Sequence, residues 1–250
     1  MSIFQNGLLQ QIVSGFGADE LWKFYATQIA FVVLAIAVSY LLGSINSAII
    51  VSKLLYRDDI RKYGSGNAGM TNMLRTYGKG AAGLTLLGDV LKTVVAIAFT
   101  AFLLGIHYNH GISLDDGYCY MAGLFAVLGH VFPIYYGFRG GKGVLVTSAM
   151  ALVLTPIPFA ILAVLFVIIV AISKYVSLGS ITVAMLYPVV VNFYIKYVFG
   201  APSPGILMLC IIILAIFIVW CHRENIKRIS NKTERKISVG GKKKKDDNEE

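Results

Sequence analysis

Ser65, Asn67, Thr71, Asn72 and Arg75 fall within one polar, glycine-rich stretch, residues 61–78 (RKYGSGNAGMTNMLRTYG), set between strongly apolar segments. Gly64-Ser65-Gly66 makes a compact loop, and Ser65 or Asn67 is placed to cap the short helix that follows by accepting from its orphan N–H groups. On that helix Thr71, Asn72 and Arg75 share one face, while Met70, Met73, Leu74 and Tyr77 share the opposite one. A hydroxyl, an amide and a guanidinium beside a glycine-lined helix N-terminus suit an oxyanion or a phosphate. A surface loop with an interfacial helix fits the same letters. Gly64, Gly66 and Gly69 also spell G-x-G-x-x-G, but the residues in front, YRDDIRKY, are no buried strand, so a dinucleotide fingerprint is excluded.

Three further groups could carry chemistry. Residues 137–143 read GFRGGKG; Tyr136 stands where a P-loop needs its first glycine and Gly143 follows the lysine, which excludes a Walker A motif. Gly140, Gly141 and Gly143 beside Lys142, at the start of a helix, could still present N–H groups to a phosphate, with positive φ expected at Gly141. A basic turn at the membrane edge is the other reading. His222 and Asn225 lie three apart where the last apolar run ends, on one side of a continuing helix, and a histidine there can serve as base, as donor or simply as packing. Asp89 and Lys92 stand inside an apolar run at i, i+3 and read as an internal ion pair. His110 and Asp115 match an H-x-x-x-x-D pattern, but in a short loop on the face away from the other clusters, where the match is taken as chance.

The elements that must position these groups are membrane helices. Of the 250 residues, 57% are hydrophobic and 14% charged, and the mean hydropathy is +0.72. A soluble domain is about 45–50% apolar and about 25% charged. The uncharged runs predict an all-α, polytopic integral membrane protein, because lipid leaves the backbone no other partner than its own helix. The net charge of +9 lies mostly in loops and tail and suits anionic lipid headgroups rather than nucleic acid. Cys119, Cys210 and Cys221 lack metal-ligand spacing.

The apolar runs predict spans near 27–55, 80–104, 118–132, 181–199 and 206–220, with 144–154 and 159–172 as two short helices hairpinned at the far side, about seven helices in all. The first is broken at Gly43-Ser44-Ile45-Asn46-Ser47, and 175–180 reads as a loop. Residues 1–26 form an N-terminal interfacial segment, 27–222 the membrane domain and 223–250 a basic, disordered tail. Lysine and arginine collect on the side of residues 53–79, 139–142, 174 and the tail, which makes that side cytoplasmic, with the N-terminus outside. Every unusual polar cluster falls on that one face.

Together the motifs resemble the acyl-phosphate-dependent glycerol-3-phosphate acyltransferases, the PlsY-type family. GSINSA, GSGNAGMTNMLRTYG, GDVLKT, GHVFPIYYGFRGGKGV, KYVSLGSI and HRENIKRISNKTERK stand in family order, from about residue 43 to 236. Asn46 replaces the proline usual in the first motif, and Gly179 the alanine usual in VSLGS. The resemblance implies acyl transfer from acyl phosphate to glycerol 3-phosphate, giving lysophosphatidic acid and phosphate, without metal or other cofactor, in a bacterial inner membrane. It implies essential roles for Ser65 and Arg75, glycerol 3-phosphate binding by the GGKG loop, a centre completed by His222 and Asn225, and Ser177 and Ser180 lining it. A non-enzymatic carrier or binding protein for a phosphate ester would use the same anion site.

Overall fold

The structure is a computed structural model that describes residues 3–17, 20–106 and 116–237. Helix α1 (Ile3–Val13) is followed by α2 (Leu21–Ser44), α3 (Ser47–Tyr56), α4 (Met70–Tyr77) and α5 (Lys79–Leu104). Then come α6 (Asp116–Val131), α7 (Val144–Leu154), α8 (Pro156–Ser173), α9 (Val176–Val198), α10 (Gly205–Cys221) and α11 (Arg223–Ser230). Each apolar run of the sequence is a helix, as lipid demands. Among the described residues, five stretches have the length and composition to cross a bilayer: α2 with α3, α5, α6, α8 and α9. The α10–α11 pair makes a sixth only if it counts as one span across its 54° bend. At 11 residues α7 is too short to cross alone. The seven apolar helices expected are therefore present, but five or six have spanning length.

Helix α6 is the centre of the bundle, against α2, α5, α7 and α10. Apolar side chains gain little from leaving lipid for a helix interface, so close backbone approach by small residues has to supply the packing. A Cβ on Gly43 would stand 2.6 Å from Ala126 Cα, and one on Gly129 2.8 Å from Ser44 N. These glycines let α2 lie directly on α6. Outward residues such as Val164, Val167 and Ile172 on α8 are exposed apolar surface facing lipid.

The first span breaks as its small polar residues predict. Ile45 and Asn46 are extended, and the Asn46 side chain accepts from Ile49 N at 3.1 Å, capping α3. Its Nδ2 donates to Ala68 O at 3.3 Å, so asparagine in the place of proline both starts the new helix and ties it to the glycine-rich loop. Behind the break, Lys92 Nζ lies 2.9 Å from Asp89 Oδ1, 3.0 Å from Gly43 O, 2.8 Å from Ile45 O and 3.0 Å from His130 Nδ1. Ser47 Oγ donates to the same Asp89 oxygen at 2.9 Å. The expected ion pair is there, and it joins α2, α3, α5 and α6.

Three boundaries differ from expectation. Residues 175–180 are not a loop: Tyr175 is an extended cap and α9 begins at Val176, so Ser177 and Ser180 stand on its first turns. Helix α8 begins at Pro156, in the first turn where a missing N–H costs nothing, and is longer than the short piece expected. Residues 223–237 are not free chain: α11 is followed by an irregular return segment whose Ile237 N donates to Lys174 O at 2.8 Å. At the other end of the bundle α1 rests on α5, Gly7 meeting Gly105. The pair His110 and Asp115 lies outside the described residues.

Candidate active site

The ends of α6 and α10, the starts of α7 and α9 and the 159–166 stretch of α8 meet the loop before α4 at one cavity of about 560 Å³. Its mouth holds Ser65, Asn67, Thr71, Asn72, Arg75, Lys142, Gly143, Ser177, His222 and Asn225, and Ser180 lies further in. Four sequence clusters far apart in the chain are thus brought together. Gly140 and Gly141 stand behind the wall. Arg228, Glu234 and Arg235 line the mouth as well, and His130 and Asp89 reach it from below; sequence reading missed all of these except Asp89.

The glycine-rich loop is shaped by Asn72. Its Oδ1 accepts from Ser65 N at 3.1 Å, and its Nδ2 donates to Tyr63 O at 3.0 Å and Asn67 O at 3.1 Å. Asn72 is buried, and its amide is taken up by loop backbone rather than offered to a ligand. Gly69, not Ser65 or Asn67, caps α4, and it does so without a side-chain bond. Ser65, Asn67 and Thr71 are left to face the cavity. Gly64 and Gly66 take φ of 59° and 70°, the left-handed values that glycine accepts without strain.

The GGKG loop does not use all its amides as expected. Gly140 N donates to Val131 O at 3.0 Å and Gly141 N to His130 O at 3.1 Å, so both are bound to the end of α6. Gly143, with φ 81°, and not Gly141, is the left-handed residue that opens α7. Glycine at 141 answers to space: a Cβ would run into the His130 ring and stand 2.8 Å from Ala68 O. What remains for an anion is the α7 N-terminus from Gly143 and the Lys142 ammonium.

Lys142 donates to Asn225 Oδ1. Asn225 Nδ2 donates to Glu234 Oε1 at 2.6 Å, and that carboxylate also accepts from Ser177 Oγ at 2.7 Å and Arg228 Nε at 2.7 Å. Asn225 therefore couples Lys142 to Glu234. Ser177 belongs to this polar cluster, whereas Ser180 Oγ bonds back to Val176 O. Burial, with the nearby Arg228 charge, pushes the Lys142 ammonium down to about 8, against a smaller opposing pull from Glu234. Burial also lowers Arg75, aided by Arg235. For Glu234 burial acts the other way, but its bonds from Arg228, Asn225 and Ser177 prevail and hold it ionised below the ordinary glutamate range.

His222 sits at the 54° bend, so it and Asn225 are not on one straight helix. Its Nδ1 is 2.7 Å from Ile218 O, an acceptor, which places the proton on Nδ1 and leaves Nε2 with a lone pair.

Inward from the mouth the lining turns apolar. On α7 it is Val144, Thr147, Ser148 and Ala151; on α8 it is Phe159, Leu162, Ala163 and Phe166; on α9 it is Ser180, Val183, Ala184 and Tyr187. Each set follows helical spacing, so three stripes face one shaft. At Gly179, where the related pattern has alanine, a Cβ would meet Phe166 and Val170 at 2.9 Å, so glycine lets α8 close on α9 there.

Comparison with known proteins gives this arrangement a context. Residues 33–232 match the family model described as glycerol-3-phosphate acyltransferase. The glycerol-3-phosphate acyltransferase of Bacillus subtilis (strain 168) is 39% identical over 82% of this chain and 97% of its own length. That of Syntrophomonas wolfei is 41% identical over 80% and 93%. Among solved structures, PlsY (YgiH), an integral membrane glycerol 3-phosphate acyltransferase, is similar in its glycerol 3-phosphate form, with a TM-score of 0.71 and 29% identity over 83% of this chain and 96% of that one. Its lysophosphatidic acid form gives 0.68 and 28%. With four-fifths of the sequence matched and the bundle superimposed, the chain belongs to the glycerol-3-phosphate acyltransferase family.

Proposed function

We propose that this acyltransferase takes its acyl group from an acyl phosphate, passes it to glycerol 3-phosphate, and releases lysophosphatidic acid and inorganic phosphate. The observation that carries this reading is one cavity in which four cations, Arg75, Lys142, Arg228 and Arg235, open onto an apolar shaft. Two phosphate-bearing substrates need separated positive charge at the mouth, and one of them needs a dry place for its chain.

An acyl phosphate is a mixed anhydride, activated enough that no enzyme nucleophile is required. Lys142 and the α7 N-terminus hold the phosphate of glycerol 3-phosphate, and Asn225 fixes the lysine. Arg75 holds the acyl phosphate group bidentately. The glycerol hydroxyl attacks the acyl carbon while His222 Nε2 takes its proton. Ser65 donates to the oxyanion that forms. As that intermediate collapses, the bond from acyl carbon to phosphate oxygen breaks and phosphate departs with the electron pair. Positioning and charge do the work.

The mouth faces the cytoplasm of a bacterial inner membrane on this reading. The support is its basic surround, Lys53, Arg57, Arg61, Lys62, Lys79, Arg139 and Lys174, against Lys23 and Lys196 elsewhere.

Steady-state kinetics with each substrate varied in turn separate the roles. His222→Ala lowers kcat by about 10²–10³, the scale of losing one group at a reacting centre. Gly141→Ala displaces His130 and the Lys142 loop and mainly raises KM for glycerol 3-phosphate. If His222→Ala changes only KM, or Gly141→Ala only kcat, the division of roles is wrong.

A further inference from the structure

We infer that the hydrogen-bonded pair Tyr187 and Thr155 is the floor of the acyl shaft and fixes the longest chain the enzyme accepts. This rests on the proposal that the shaft holds the acyl chain, and it adds where the chain must stop. Tyr187 is the deepest lining residue on α9, and its hydroxyl lies 3.1 Å from Thr155 Oγ1. Thr155 is the single residue joining α7 to α8, so the bond ties the far end of that hairpin to α9. Tyr187 is 3% exposed and Thr155 1%. Tyr187 belongs to the same core cluster as Tyr120 and Leu154, both fully buried, so its ring is backed by packed side chains. Among the described residues the lining ends at Tyr187 on α9 and at Phe159 on α8.

The depth sets a length. From Ser177 to Tyr187 is ten residues of α-helix, about 15 Å. An extended hydrocarbon advances about 1.25 Å per carbon, from bonds of about 1.5 Å laid in a zigzag. About 12 carbons therefore fit below the level of Ser177, with the carbonyl end above it. Ala184 lies three residues, about 4.5 Å, nearer the mouth than Tyr187. A large side chain there would raise the floor by roughly three to four carbons.

Equimolar mixtures of saturated acyl phosphates from decanoyl to arachidoyl, with glycerol 3-phosphate, read this directly as the chain-length distribution of the lysophosphatidic acid formed. Ala184→Phe is expected to move the upper limit down by roughly three to four carbons. Tyr187→Ala, which removes the floor, is expected to move it up. Opposite shifts are not a product of general damage, which lowers all lengths together. If Tyr187→Ala does not fold, Ala184→Val and Ala184→Phe still decide, through graded loss of the longest donors. Folded variants with the length profile of the unmodified enzyme overturn the inference. Absence of product from the unmodified enzyme with every acyl phosphate would instead overturn the donor assignment, and the two failures are distinct.

Discussion

Removing the Lys92 ammonium tests the account of how the site is held. Lys92→Met keeps most of the side-chain volume but withdraws the charge from four neighbours within 3.0 Å: Asp89 Oδ1, Gly43 O, Ile45 O and His130 Nδ1. Asp89 is fully buried, so its carboxylate would remain without a counter-ion. Breaking a buried pair from one side costs about 3–5 kcal/mol, a large part of the roughly 5–15 kcal/mol that holds a typical domain. Asp89→Asn is expected to cost less, because Lys92 keeps two carbonyls and an imidazole. The double variant Asp89→Asn/Lys92→Met leaves no unpaired charge and recovers most of the loss. Thermal unfolding in detergent, with monodisperse yield by gel filtration, gives the order: Lys92→Met lowest, then Asp89→Asn and the double variant, then the unmodified protein. If Lys92→Met folds and melts like the unmodified protein while losing activity, these residues act in the chemistry and the structural reasoning is refuted.

Two other outcomes follow from the same geometry. Lys142 is pushed down to about 8, so it is charged at neutral pH and loses its proton as pH rises through that value. A neutral amine holds phosphate poorly, so kcat/KM for glycerol 3-phosphate falls above about pH 8 while kcat changes little, and Lys142→Arg moves that fall upward; a profile flat across this range would contradict it. For orientation, a cysteine placed at Gly200, in the turn after α9, is labelled from outside intact cells, whereas one at Arg139 is labelled only after permeabilisation. The reverse pattern would put the mouth on the wrong side.

Much of this was legible in the sequence, for reasons that also mark where legibility ends. Uncharged runs report helices in lipid directly, and the run 43–47 marked the break, which falls at Ile45 and Asn46, because an asparagine side chain there can cap a new helix. Ser65, Arg75, Lys142, His222 and Asn225 stood out as polar residues at the edges of apolar runs, and the fold gathers all five. His130 did not stand out: it is one polar residue inside α6, and its partners, Lys92 and the Gly141 loop, are set by tertiary packing. Arg228, Glu234 and Arg235 were hidden in a segment that read as a tail because Ile226 and Ile229 are its only apolar residues between 222 and 236. Yet that segment carries the carboxylate joining Ser177, Asn225 and Arg228. Its one signal was membership of the run HRENIKRISNKTERK. The amides of Gly140 and Gly141 were misjudged because a glycine run shows freedom to approach, not what it approaches.

The most direct measurement is product analysis with purified protein, acyl phosphate and glycerol 3-phosphate. The account predicts lysophosphatidic acid and inorganic phosphate in equal amounts, with both lost together in Arg75→Ala that still folds. Release of phosphate without lysophosphatidic acid, or lysophosphatidic acid formed only from a donor other than acyl phosphate, would contradict it.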